Sequence, residues 1–232
     1  MKNRTAFFTV AAMGLWLAVA APSQASTITG NPAGHQSGMT YEWEVAMGAS
    51  DSATFSGSVG AKSWAEPFNP AGEHGWTHTT DWVYLDLTGT GAPTVLTVDL
   101  ARGATGSLFP AFGIYFGVED LISDATNHTF NNAGAIAWTP NLTYLGHVAN
   151  VGGPNGDNSG DGATSVSGSW ILDPGLYSLV LGGNPSFLLG ATGTPAFTAT
   201  LTTAPVPVPA AVYLFGSGLI GLAGLARRRM SA

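Results

Sequence analysis

No cysteine occurs in the 232 residues, so neither a disulfide framework nor a cysteine-ligated metal centre is open to this chain. Charge is nearly as scarce. Charged residues make up 9% of the sequence, against ~25% in an ordinary soluble protein. Five of the seven basic residues sit at the two ends, as Lys2 and Arg4 and then Arg227, Arg228 and Arg229. Only Lys62 and Arg102 lie between them. All fourteen acidic residues fall from Glu42 to Asp173, which leaves that middle at a net charge of −12. A surface that neutralises phosphates needs clustered Lys and Arg, so nucleic acid is excluded as a partner. Sustained helical periodicity is also missing from the middle, apart from one candidate turn at residues 118–123. No Gly-x-Ser-x-Gly elbow, His-Glu-x-x-His pair or Gly-Lys-Thr phosphate cradle is present, and no catalytic residue is assigned.

What is plentiful is glycine (32), proline (14) and aromatic surface, with 7 Trp, 6 Tyr and 11 Phe. That much apolar area argues against disorder and for one packed domain with extra segments. The extra segments lie at the ends. Lys2 and Arg4 precede an apolar run over residues 7–21, Pro22 breaks it, and Ser23-Gln24-Ala25 offers small residues where a signal peptidase probes. Residues 1–25 therefore read as a secretory signal helix, with an uncleaved anchor as the alternative.

At the other end, Pro205-Val206-Pro207-Val208-Pro209 is stiff and extended, because each ring fixes φ and removes a backbone donor. Seventeen uncharged residues follow at 210–226, about 25 Å of helix and enough for a thin bilayer. Ser217 and Gly221 give a small-xxx-small pair along it. Arg227-Arg228-Arg229 then stops transfer and holds the C-terminus on the cytoplasmic side.

In that order, proline motif (Pro207, Val208, Pro209), apolar helix and arginine cluster (Arg227, Arg228, Arg229), residues 205–232 resemble a PEP-CTERM sorting tail of the VPLPA-type variant. Two departures stand out: the glutamate of the Pro-Glu-Pro type is absent, and Val208 replaces the variant's leucine. The resemblance implies export through the inner membrane, with signal peptidase and then an exosortase-like membrane enzyme as partners. It implies delivery to the cell envelope, the outer surface or an extracellular polysaccharide matrix. A plain single-pass anchor would have the same topology.

Residues 26–204 read as an exported all-β domain, an antiparallel β-sandwich. Nine strand-length stretches appear, at 41–45, 54–59, 81–87, 94–100, 112–118, 142–148, 164–172, 176–181 and 197–201. Turn chemistry separates them, as in Thr88-Gly89-Thr90-Gly91, Asp173-Pro174-Gly175 and Gly182-Gly183-Asn184-Pro185. Alternation places Tyr41, Trp43 and Val45 on one face, Val83, Leu85 and Leu87 on another, and Phe112, Ile114, Phe116 and Val118 on a third. The stretches at 81–89, 96–100 and 173–183 resemble strand motifs of bacterial pre-peptidase C-terminal domains, which are jelly-roll-like sandwiches. That resemblance spans residues 79–201, and its matched positions are strand positions that carry over no ligand.

Candidate binding residues fall in the long connections. His74 and His78, in Glu73-His74-Gly75-Trp76-Thr77-His78, carry imidazoles suited to zinc, copper or nickel if the loop curls. On an extended strand they stand ~13 Å apart, too far for one ion, so surface histidines are the alternative. Asp157, Ser159 and Asp161 alternate before Gly162, a pattern able to wrap calcium; a solvated turn has the same composition. Trp64 and Trp76 sit in Gly/Pro-rich sequence and offer flat faces for an extracellular polysaccharide, where packing is the other use of such rings. Glu42 and Glu44, two apart on one strand, have the separation of a hydrolytic carboxylate pair and equally that of an exposed strand edge. The function expected is a non-enzymatic envelope or matrix protein. The alternatives are a polysaccharide- or calcium-binding module in biofilm assembly and, more distantly, a secreted hydrolase. No cofactor is expected, and calcium is the alternative.

Overall fold

The structure is a computed structural model. It describes residues 25–35, 37–60, 80–104, 108–121, 134–136, 139–148, 163–184 and 193–207, with helical residues at 214, 215, 217–220, 222 and 227. Ten strands run in chain order: β1 (Thr27–Gly30), β2 (Trp43–Ala46), β3 (Ser52–Ser58), β4 (Asp81–Asp86), β5 (Thr94–Arg102), β6 (Phe109–Phe116), β7 (Thr143–Val148), β8 (Ser165–Leu172), β9 (Leu176–Asn184) and β10 (Ala196–Pro205). They form two sheets, β1-β2-β4-β9-β6-β7 and β3-β10-β5-β8, packed face to face. All nine expected strands are present. β1 was not among them, because Thr27-Ile28-Thr29-Gly30 is short and exposed throughout and carries no apolar alternation.

Among the described residues every pairing is antiparallel except one. β2 runs parallel to β4, Trp43 beside Val83 and Ala46 beside Asp86, which corrects the expectation of antiparallel sheets alone. The reason is that β2 does not lead directly into its neighbour. The chain crosses to the other sheet for β3 before it returns for β4.

Alternation fixes the core. Val83, Leu85, Leu96, Val98, Leu100, Phe112, Ile114, Leu179, Leu181, Phe197 and Leu201 all point between the sheets and are fully or almost fully buried. The six-stranded sheet has a second dry face. Tyr41, Trp82, Ala111, Tyr115, Ile136, Leu142 and Val180 cluster on its outer side, where Met39 and Val118 also pack.

Two face assignments therefore change. Tyr41 does not share the face of Trp43 and Val45; it lies ahead of β2 at a bend and joins the outer cluster. Phe116 is half-exposed at the rim and Val118 joins the outer cluster, because the chain turns at Gly117 (φ +97). A side chain at Gly117 would collide with the Asn141 carbonyl. The turn expected at 118–123 is not helical in its described residues, 118–121.

The short turns gather at one rim. Asp86 Oδ1 accepts hydrogen bonds from Thr88 N–H (2.8 Å) and Thr88 Oγ1 (2.6 Å) to open the turn after β4, and Gly91 at φ +68 closes it. Tyr177 Oη donates to Asp173 O (2.7 Å) across the β8–β9 turn. Thr203 Oγ1 donates to Gly48 O (2.6 Å) and accepts from Asp51 N (2.9 Å), while Asp51 Oδ2 accepts from Gly48 N (2.6 Å). One buried hydroxyl thus ties the β2–β3 turn to the last strand. The expected signal helix lies outside the described residues except for Ala25. In the tail, Leu214, Phe215 and Ile220 are helical and 72%, 71% and 76% exposed, so they form no part of the packed interior. No helix among the described residues is long and apolar enough to cross a membrane.

Replacing Thr203 by Val keeps shape but orphans Gly48 O and Asp51 N. Urea unfolding should show a loss of ~1–3 kcal/mol, the cost of buried groups left unpaired.

Candidate functional site

The register divides the sandwich into two ends. At the first, Thr27 faces Ala46, Ala46 faces Asp86, Asp86 faces Leu176, and in the other sheet Thr94 faces both Pro205 and Leu172. The 47–51, 87–93 and 173–175 turns join the two sheets here. So do both exits. Ser26 Oγ donates to Ser52 O (2.7 Å), and β10 leaves at Pro205 into Val206-Pro207.

At the opposite end lie Asp81, Ser58, Ala196, Arg102, Ser165 and Phe109. The 59–80, 103–108, 149–164 and 185–195 connections all leave and re-enter there. His74, His78, Trp64 and Trp76 belong to the first of these, and Asp157, Ser159 and Asp161 to the third. All seven lie outside the described residues. Of the sorting-motif residues, Pro207 and Arg227 are described and exposed, while Val208, Pro209, Arg228 and Arg229 lie outside.

Among the described residues of the loop-bearing end, two carboxyls stand together. Glu42 N–H donates to Trp82 O (3.0 Å), and its Oε2 accepts from Trp82 N–H (2.5 Å). The side chain thereby supplies an acceptor that continues the β2–β4 pairing past the start of β2. Asp81 Oδ2 accepts from Trp43 Nε1 (3.1 Å). Burial pushes the Glu42 carboxyl from 4.5 up to about 7, and the negative charge of Asp81 adds to the rise. Burial also raises Asp81, against the lowering effect of its Trp43 bond. The carboxyl that bears on Glu42 is therefore Asp81 of β4. Burial raises the Tyr84 hydroxyl, and the charges of Asp120, Asp86 and, least, Glu44 add to that rise. The Glu42 bond to backbone serves the ladder.

Arg102 stands at the same end. Its Nε donates to Leu108 O (2.6 Å) and its guanidinium lies 4.5 Å from the Phe109 ring centre, so it braces the β5–β6 connection.

A second polar group covers the outer face of the six-stranded sheet. The His35 ring stacks on Tyr84 at 3.9 Å, and its Nδ1 meets Asp120 Oδ1 at 3.1 Å. Beneath it a closed relay runs inward. Glu119 N–H donates to Tyr41 Oη (2.9 Å), Tyr41 Oη–H to Ser178 Oγ (2.7 Å), and Ser178 Oγ–H to Gly117 O (2.8 Å). The buried Glu119 carboxylate accepts from Leu121 N, Asn141 Nδ2 and Thr139 Oγ1. Tyr41, desolvated within this relay, is pushed up to about 12. The group fastens two cover segments to the sheet. Gly38 (φ +67) belongs to it, since a side chain there would strike the backbone of residues 119–121.

An open hollow of about 380 Å³ at the exit end is lined by Thr27, Met47, Asp86 and Thr88 among others, and its one carboxylate is already held by Thr88. No group of three or more His, Asp or Glu among the described residues could hold a metal ion.

No protein-family model matches the chain, and no curated protein matches it. A solved structure titled as CorA, a surface-associated copper-binding protein important in copper acquisition by Methylomicrobium album BG8, matches 66% of this chain and 93% of its own length. Sequence identity is 18% and the TM-score 0.42. A likeness of that degree establishes neither a shared fold nor a shared ligand.

The raised Glu42 has a definite sign. Its contribution to stability is fully present below pH ~4.5 and is lost as pH rises through about 7. The melting temperature of the native sequence relative to Glu42→Gln should therefore fall between pH 5 and pH 8. A difference that stays constant across that range would show that Glu42 ionises freely.

Proposed function

We propose that this chain is a non-enzymatic protein of the cell envelope or extracellular matrix. Its jelly-roll-like sandwich is carried across the inner membrane by the signal at residues 1–25 and sorted by the tail at residues 205–232. One observation carries the reading. Both exits from the sandwich, at Ser26 and at Pro205, lie on the rim that carries three short turns and the 117–142 connection, and the two connections that hold the candidate binding residues, 59–80 and 149–164, leave from strand ends on the other rim. A body held to a membrane by either end turns the opposite rim, where those strand ends lie, away from it.

The spacing at the attachment point supports it as well. Pro205 still pairs with Thr94, and four residues separate it from the apolar stretch that begins at Ala210. A cut within Pro207-Val208-Pro209 removes the tail without touching a paired strand residue. Signal peptidase and an exosortase-like enzyme are the partners this route requires. The calcium reading at Asp157, Ser159 and Asp161 and the polysaccharide reading at Trp64 and Trp76 belong to the outward end. The high negative charge of the body repels anionic surfaces unless divalent cations bridge them.

Intact mass of the protein recovered from cells tests the route. The expected product begins near Ser26 and ends near the proline motif. A variant with Arg227, Arg228 and Arg229 all changed to Ala should keep its tail and accumulate in the inner membrane. Recovery of the full 232 residues in the native case would overturn the proposal.

A further inference from the structure

The outer face of the four-stranded sheet carries a broad array of hydroxyl groups, bounded towards the exit end by a row of Ala204, Val95 and the exposed Ile171. Register places its side chains in three rows across β3, β10, β5 and β8: Ser56, Thr198, Ala101 and Ser165; then Thr54, Thr200, Asp99 and Ser167; then Ser52, Thr202, Thr97 and Ser169. Ten of those twelve positions carry a hydroxyl, one is Ala and one is Asp. Each of the twelve is exposed or half-buried.

Solvent-facing strand positions ordinarily carry long charged side chains, which keep a sheet soluble and guard its edges. Here no Lys, Arg or Glu appears in the array. Nor is there an aromatic ring. The hydroxyls bond to one another across strands, Thr54 to Thr200 at 3.1 Å, Ser56 to Thr198 at 3.0 Å and Thr97 to Ser169 at 2.8 Å. Such bonds fix rotamers in advance of any ligand.

From this array we infer a binding face for a neutral, hydroxyl-rich polysaccharide laid across the strands. A Ser or Thr hydroxyl both donates and accepts, as a sugar hydroxyl does, so the two surfaces match whichever way each proton points. Strand geometry repeats the groups at about 4.8 Å across the sheet and about 6.8 Å along it, a lattice on which a periodic polymer makes many weak bonds at once. Multivalent contact of that kind compensates for the small net worth of each hydrogen bond. β-Branched Thr has little side-chain freedom left to lose, in contrast to Lys or Arg.

Charge chooses the class of polymer. The one ionic group in the array is Asp99, on a body that carries −12, so an acidic polysaccharide is repelled and a neutral one is not. The inference takes from the proposed function only where the polymer would be met. It places binding on a sheet face, apart from the connections that carry Trp64 and Trp76.

The test is depletion of the full chain, held in detergent, by insoluble cellulose and by a neutral mannan, with alginate as the anionic comparison. The triple variant Thr198→Val, Thr200→Val and Thr202→Val keeps shape and strand propensity while deleting the central column of hydroxyls. Thr200→Lys is the second variant, and circular dichroism reports folding of both. Expected are binding of the native chain to at least one neutral polymer, weaker binding to alginate, and at least a tenfold loss in each folded variant. Four results would each overturn the inference: native protein left in solution with both neutral polymers, full binding by the variants, equal or tighter binding to alginate, or a change in sedimentation of the variants that marks the face as a contact between copies of this chain. Because the assay uses purified protein, none of these bears on whether the chain is exported or its tail removed.

Discussion

β10 is hydrogen-bonded along its length on both sides, to β3 from Ala196 to Thr202 and to β5 from Phe197 to Pro205. It is the last strand in the chain and an interior strand of its sheet. Without it β3 is an isolated ribbon, and Phe197, Ala199 and Leu201 are missing from the core. The sandwich therefore closes only after residue 205 is available, and pairs such as Ser52 with Thr202 span most of the domain. Long-range pairing of this kind is slow, because loop entropy is lost before contacts form. The same strand fixes where the tail leaves. Thr203 bonds the β2–β3 turn two residues before Pro205, so the proline run departs from a pinned point on the rim.

Burial falls unequally on the two sheets, and this asymmetry separates structure from recognition. The six-stranded sheet is largely buried on both faces of its inner strands, β4, β9 and β6. Its outer aromatic rings are covered by segments whose polar groups are satisfied through the Glu119–Tyr41–Ser178–Gly117 relay and the Glu119 carboxylate. A carboxylate at 0% exposure is tolerable only with such a full set of donors. These polar residues hold the cover down. The four-stranded sheet has no described cover, and its outer side chains meet solvent directly. Polar groups there are free to act on a partner, whereas those on the other sheet are already committed.

Much of the fold could be read from period-two alternation, because strands with one inward face must repeat apolar residues at every second position. Val83, Leu85 and Leu87, or Leu96, Val98 and Leu100, needed no other information. Alternation failed where a strand gains its place from a neighbour alone. β1 is held by pairing with β2, and nothing in Thr27-Ile28-Thr29-Gly30 encodes a buried face. It also failed for Tyr41 and Val118, since a bend at the strand end changes the face and local pattern carries no sign of the bend. The parallel β2–β4 pair was hidden for a similar reason, being fixed by a crossover through the other sheet. Glu42 was noticed, but its partner was not, because Asp81 is 39 positions away and meets it only through the β2–β4 register. The hydroxyl array did leave a trace, in Ser52-x-Thr54-x-Ser56, Ser165-x-Ser167-x-Ser169 and Thr198-x-Thr200-x-Thr202. Each of these looks like an ordinary solvent face. Only the register shows that three such strands, with Thr97 and Asp99 of β5, lie side by side.

The scarcity of charge in the sequence gains a physical meaning from that placement. A soluble sandwich needs polar outer positions, and either charges or hydroxyls can supply them. Charges keep molecules apart at long range and are costly to desolvate against a neutral surface. Hydroxyls give solubility with a smaller desolvation cost and leave close approach open. This chain places carboxyls such as Glu42 and Asp81 at the loop-bearing end and gives the twelve-residue array on the exposed sheet hydroxyls instead, with Asp99 its single charge. The consequence is a body repelled as a whole by anionic polymers yet nearly neutral over one broad face. Contact with a neutral surface on that face desolvates one charge.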